Sequence, residues 1–333
     1  MSLMLLGILN SQAAGGGFNP EAFSKTTPGS IASDSSMAEL NGTVIIWVGN
    51  NQYIRQTGGP GSSWTALTVG NNAGAVAANA NVFVAVPRGA SSNSIRISTT
   101  AASGSWTDVP NTSYSYGERS VVIADKADAN RFYITGRIGE MEYQFPRYSL
   151  DNGVTSADFL SYGSTRNQYS DSARSSSQWM IVPSLTQFNQ NDFAYFTTNG
   201  TSGTSWTQRT ASLNWNDAGN SVTSDGTYFY GSRGNSRQTW KRTGTNTFTT
   251  ATDPSNTAGP SILHYGFEKF FFFKNAENRY WYSDTWDSGW TQVSIGGLTM
   301  QVETRFNYPV NSETNSKVYT AVSSSGGGLM EIG

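Results

Sequence analysis

Side chains able to do chemistry are few and scattered in this chain. The one histidine, His264, lies in SILHYGF, and there is no cysteine. A lone imidazole excludes a histidine-based triad and a multi-histidine metal centre within one chain. The lack of thiols removes disulfides, thiolate metal sites and cysteine nucleophiles together. The apolar neighbours of His264 point to packing within a strand. The densest polar run is GRIGEMEYQ, where Arg137, Glu140 and Glu142 could contact a ligand; the same pattern is that of a solvated hairpin turn. DNGVTSAD, from Asp151 to Asp158, has the outline of a calcium loop without enough acids. No phosphate loop, metal motif or nucleophile elbow occurs. The residues therefore assign no catalytic group, no metal ligand and no cofactor, and the chain reads as non-enzymatic.

The elements that would position such groups are strands. Charged residues make up only 13% of the 333, and long amphipathic helices need straight-chain charged residues on their wet face. Aromatics reach 13%, with 10 Trp and 16 Tyr, as in strands that pack large side chains together. A net charge of -2 argues against a nucleic-acid binder, whose phosphate contacts would need a basic face.

A repeat organises the chain. GPGSSWTAL, ASGSWTDV, SGTSWTQR and DSGWTQV centre on Trp64, Trp106, Trp206 and Trp290. Phe248, in RTGTNTFTTATD, falls midway between the last two, and Val154, in SLDNGVTSADF, fills the longer gap less well. A period of about 42–50 residues is that of a four-stranded propeller blade. Before each motif lies a hairpin pattern, as in TVIIWVGNNQYIRQT, RFYITGRIGEMEYQF and KFFFFKNAENRYWYSD, and a last one, KVYTAVSSSGGGLMEIG, closes the chain. The first arms are nearly continuous apolar runs, which belong to inner strands covered on both faces. The prediction is an all-β, seven-bladed β-propeller over 41–333, with six blades the alternative. Trp64, Trp106, Trp206, Phe248 and Trp290 form its blade-repeat core. The last hairpin lacks a Trp strand, so closure borrows a strand from the linker segment 18–40, around Ser30 to Leu40.

These motifs resemble the Asp-box (BNR) hairpins of sialidase-like propellers, whose pattern is Ser-x-Asp-x-Gly-x-Thr-Trp. Gly61 and Gly203 stand three residues before Trp64 and Trp206, and Ser283 seven before Trp290. The aspartate five before the tryptophan is replaced by Gly59, Ala101, Thr201 and Thr285, so the box is degenerate and structural. Sialidases of this fold use an arginine cluster, a Tyr/Glu pair and an acid. The resemblance makes Arg55, Arg96, Arg119, Arg137 and Arg233 available, with Glu118, Glu140, Glu142 and Asp225. A sialidase-like glycan hydrolase is the enzymatic alternative.

The chain begins MSLMLLGILNSQAAGGG. Its apolar run is too short to span a membrane and carries no basic n-region, so neither membrane insertion nor secretion is predicted. Leu5, Leu6, Ile8, Leu9 and Ala13 fit one helical face, ended by Gly15 to Gly17. Residues 1–17 thus read as an apolar anchor for a partner. LLGILNSQAAGGG is similar to the leader of tailed-bacteriophage tail, baseplate and fibre proteins. The resemblance implies a virion structural protein, present in multiple copies and bound to other tail, baseplate or neck proteins. Its propeller would lie at the periphery, where host-surface glycans are a candidate ligand; capsid decoration is the alternative placement.

Overall fold

The computed structural model describes residues 18–26, 36–49, 52–69, 73–87, 94–110, 121–124, 130–135, 137–138, 142–143, 147–149, 157–158, 168–176, 178–185, 194–197, 207–209, 220–233, 236–244, 247–302, 309–323 and 328–333. All regular structure among them is β. Six four-stranded antiparallel sheets follow one another along the chain, five of them built from consecutive strands and the third interrupted by an inserted ribbon, and a five-stranded sheet joins the two ends.

The first sheet runs Ser36–Leu40, Thr43–Gly49, Gln52–Gln56 and Thr65–Leu67; the second runs Ala73–Ala78, Phe83–Pro87, Ser94–Ser98 and Thr107–Pro110. The third contains Val121–Ala124, Phe132–Thr135, Arg147–Ser149 and Ala157–Asp158. The fourth contains Gln168–Arg174, Trp179–Leu185, Ala194–Thr197 and Thr207–Arg209. The fifth has Asn220–Ser224, Phe229–Arg233, Gln238–Arg242 and Phe248–Thr252. The sixth has Ser261–Gly266, Lys269–Lys274, Arg279–Ser283 and Thr291–Ser294. In the seventh, Thr299–Met300 and Val310–Ser312 both pair with Lys317–Ser323, which pairs with Gly328–Ile332. First strands of consecutive sheets lie against one another, and Val310–Ser312 lies against Ser36–Leu40. The sheets therefore radiate from a shared axis as the blades of a propeller.

The apolar runs become second strands because each is sandwiched between neighbouring sheets. Val44 and Ile46 face a cluster with Tyr319, Ala321 and Leu329 of the seventh sheet, while Ile45 and Trp47 face Val76, Phe83 and Ala85 of the second. In FFFF, Phe271 and Phe273 pack toward the seventh sheet and Phe270 and Phe272 toward the fifth.

The innermost strands are the first ones, where the sequence pattern predicts the apolar arms, and several of them carry inward Ser or Thr. Their hydroxyls bolt one sheet to the next. Ser36 Oγ accepts from Val76 N (2.9 Å), Ser221 Oγ from Leu263 N (3.0 Å) and Thr223 Oγ1 from Tyr265 N (3.0 Å). Ser312 Oγ donates to the buried Glu39 carboxylate (3.1 Å), which joins the seventh sheet to the first.

Closure comes from the N-terminal chain, at a different place from the one expected. Phe23–Thr26 forms the outer strand of the seventh sheet, with Phe23 opposite Ile332 and Thr26 opposite Leu329. Ser36–Leu40 is instead the innermost strand of the first sheet, so the segment 18–40 belongs to the ring at both of its ends. A second difference lies in RFYITGRIGEMEYQF. Phe132–Thr135 pairs with Arg147–Ser149, and Arg137–Ile138 with Glu142–Tyr143 forms a separate two-stranded ribbon inserted between them.

Candidate functional site

In the first, second, fifth and sixth sheets the first strand leads through a short turn to the second, and the third strand through a longer turn to the fourth; in an up-and-down sheet both turns emerge at the same end. We call that end the turn face. The opposite end, the connection face, carries the second-to-third loops and the links between sheets.

The Trp motifs occupy the turn face. Trp64, Trp106 and Trp290 each stand one residue before a fourth strand, and Phe248 opens one. Trp64 is half-buried against the seventh sheet, Trp106 packs between the first and second, and Trp290 joins the fifth–sixth cluster. Phe248 is buried with Trp240 between the fourth and fifth. The ring position is thus shared, on the seam with the preceding sheet. Hydroxyls hold the turns that lack the aspartate. Ser98 Oγ accepts from Ala101 N (2.9 Å), and Ser283 Oγ donates to Ser288 O (2.6 Å), as does Thr285 Oγ1 (2.8 Å). Trp206 lies outside the described residues, as do Leu5, Leu6, Ile8, Leu9 and Ala13.

The residues weighed for a sialidase-like site are spread around the ring. Arg55 Nη1 donates to Thr100 O (3.3 Å) across the first–second seam, Arg96 pairs with Asp108 (2.8 Å) in the second sheet, and Arg233 Nη1 donates to Gln238 Oε1 (3.0 Å) in the fifth. Arg137 and Glu142 lie in the inserted ribbon, opposite Tyr143 and Ile138, on the connection face. Glu140, Glu118 and Arg119 lie outside the described residues. His264 Nε2 meets Asn311 Oδ1 at 2.7 Å, which ties the sixth inner strand to the seventh. Among the described residues, no group of three His, Asp or Glu could hold a metal, and no helix is long and apolar enough to cross a membrane.

Asp225 does gain a partner, and it centres the richest cluster on the turn face. Its Oδ1 accepts from Thr227 N (2.8 Å) and Tyr228 N (2.7 Å), which fixes the turn, and its Oδ2 accepts from Tyr230 OH (2.7 Å). The Tyr230 ring sits between Phe270 (centroids 4.8 Å apart) and Trp286 (6.4 Å) across the fifth–sixth seam. Lys241 Nζ lies 3.9 Å over the Tyr228 ring and 5.4 Å over that of Tyr230. Burial, the bond to Asp225 and the Asp225 charge all push the Tyr230 phenol well above its ordinary value. Tyr265 is raised too, by burial first and then by the charges of Asp225 and Glu268. A phenol held protonated beside a carboxylate is a poor nucleophile and a good hydrogen-bond donor. The cluster is suited to holding an aromatic surface in place, with Tyr228 43% exposed at its edge.

The residue pattern alone does not single out Tyr228, Tyr230, Lys241 and Trp286. The alternation of TYFY, which sets both tyrosines on one face, was the available signal; the approach of Trp286 from the next sheet left none.

No protein-family model matches the chain, and no curated protein matches it. Solved structures do. YCF48 bound to a D1 peptide superposes with a TM-score of 0.63 at 10% identity, covering 95% of this chain and 96% of that one. A streptogramin B lyase gives 0.62 at 13% identity, covering 94% and 98%. The WD40 domain of Toxoplasma gondii coronin gives 0.57 at 6% identity, covering 95% and 87%. The neighbours thus include a lyase and a peptide-bound protein, and at these identities what they share with this chain is the fold: it is a β-propeller.

Proposed function

We propose that this chain is a non-enzymatic structural protein of a tailed-phage particle. Residues 1–17 insert into a neighbouring tail, baseplate or neck protein, and the propeller stands at the periphery in several copies. One observation carries this reading. The ring is closed by Phe23–Thr26 pairing with Gly328–Ile332, downstream of the apolar leader. Leader side chains such as Leu5, Leu6, Ile8 and Leu9 are the kind that gain about 1.5–3 kcal/mol each on burial in a partner.

Two further features favour a non-enzymatic role. Of the candidate glycosidase arginines, Arg55 and Arg96 engage partners in the second sheet, whereas Arg233 engages one in the fifth. The Tyr–acid pair at Asp225 has its phenol raised rather than lowered. Contact with host glycans falls to Trp, Tyr and Asn side chains on the loops.

Deleting residues 1–17 tests the reading. The shortened protein should melt as the full chain does and fail to enter particles. Normal incorporation would refute the anchor. Incubation with host envelope polysaccharide should release no sugar, and released sugar would overturn the non-enzymatic assignment.

A further inference from the structure

The two faces of the ring are unequal, and the chain enters on one of them. The closing strand runs antiparallel to Gly328–Ile332 with Phe23 opposite Ile332, so Phe18–Ala22 and the C-terminus share the turn face. Phe18 stacks on Phe267, in the first turn of the sixth sheet (4.4 Å, 9°), and Gly333 N donates to Ala22 O (2.9 Å). Tyr280 OH donates to Pro20 O and Tyr282 OH to Glu21 Oε1, both at 2.6 Å. The exit point of the leader is therefore fixed.

Three observations make this face a docking surface. From Leu9, the last large apolar residue of the leader, to Phe18 the chain can span about 30 Å at most, at about 3.3–3.6 Å per residue. A propeller attached through that leader is held close to its partner, turn face first. The exposed large apolar side chains among the described residues, Phe23 (37%) and Tyr228 (43%), both belong to this face. Its charge is also uneven. The turns 41–42, 57–64, 79–82, 99–106 and 243–247 contain no charged residue. Around the exit, Glu21, Glu268, Asp284, Asp287 and Glu313 are exposed, whereas Lys269 is paired with Asp284 and Lys317 Nζ donates to Gly333 O.

We infer that the turn face of the fifth, sixth and seventh sheets is the surface with which the propeller seats on the protein that receives its leader. This rests on the anchor reading above. The partner that fits presents an apolar groove for the uncharged leader, flanked by basic residues that meet the acidic rim. The connection face, with the Arg137–Tyr143 ribbon, then points outward.

The absence of cysteine makes the orientation directly readable. Asp287→Cys and Thr314→Cys mark the turn face and Asn278→Cys the connection face; all three positions are exposed. Each variant is first checked for the parent's melting temperature and for full maleimide labelling when free. In assembled particles, labelling at 287 and 314 should fall at least tenfold while 278 stays reactive. Protection of 278 instead, or equal reactivity of all three in particles containing the protein, overturns the inference. Failure of the anchor itself reads out separately, as incorporation of the protein lacking residues 1–17.

Discussion

Phe18→Ala removes the clip that holds the incoming chain against the ring while leaving every strand in place. Phe18 is half-buried; it stacks on Phe267 and meets Phe271 edge-on at 5.8 Å. Half of the roughly 1.5–3 kcal/mol for burying such a ring, with about 0.5–1.5 kcal/mol for the aromatic pair, gives about 1.3–3 kcal/mol. The loss falls on local opening of Phe23–Thr26, whose one partner strand among the described residues is Gly328–Ile332. At about 1.4 kcal/mol per factor of ten, the opening equilibrium should rise about 10- to 150-fold. Native-state hydrogen exchange read by mass spectrometry measures this directly. Amides of 18–26, and those of 328–332 that face Phe23–Thr26, should speed up by that factor, and those of Phe229–Arg242 should keep the parent rate. Unchanged exchange at 328–332 would refute the reasoning, as would equal acceleration in every sheet.

Glu331→Gln should raise the melting temperature at neutral pH. Burial pushes the Glu331 carboxyl above its ordinary value, against the opposing pull of Gln56, Gly61 N–H, Lys317 and Ser24. A carboxyl raised in the folded state stabilises fully below its unfolded value, and that contribution is lost as pH rises through the raised one. At pH 7 the charge is thus a cost, about 1.4 kcal/mol for every tenfold by which folding weakens the acid. The gain from glutamine should shrink as pH falls toward the ordinary carboxylate range, and a constant loss at all pH values would contradict the account. Gly231→Ala should cost about 3 kcal/mol or more in denaturant unfolding, because a Cβ there would lie 1.9 Å from Ser221 O and 2.4 Å from Trp240 Cζ2. A change under about 0.5 kcal/mol would show that the two strands can separate freely.

The second strands were legible because their environment is written in every residue. TVIIWVG is apolar at consecutive positions since both of its faces meet a neighbouring sheet. Among the first strands only the apolar SILHYG, around His264, reads as one. AGAVAA and NSVTS carry neither alternation nor bulk, because strands converging on an axis need small side chains, and Ser221 is a bolt between sheets that composition alone would place facing solvent. FSKT, the closing strand, is short and polar, so nothing local separates it from a linker; pairing with Gly328–Ile332 defines it. EMEYQF alternates as a strand should, yet pairing shows Glu142–Tyr143 to be half of an insertion. The Asp225 cluster escaped for a different reason. Lys241 and Trp286 reach it from another strand and another sheet, and that convergence is a property of the ring.

The strand that closes the ring is also the first part of the body to feel a force transmitted along the chain from before Phe18. A pull along the strand axis loads the pairs from Phe23–Ile332 to Thr26–Leu329 together, in shear. A pull across the axis opens them one after another, beginning at Phe23. Ahead of both lie the Phe18–Phe267 stack and the hydroxyls of Tyr280 and Tyr282, which grip Pro20 and Glu21 as a strain relief grips a cable at its plug. Tension is absorbed there first, where contacts can slip and re-form, before it reaches the sheets.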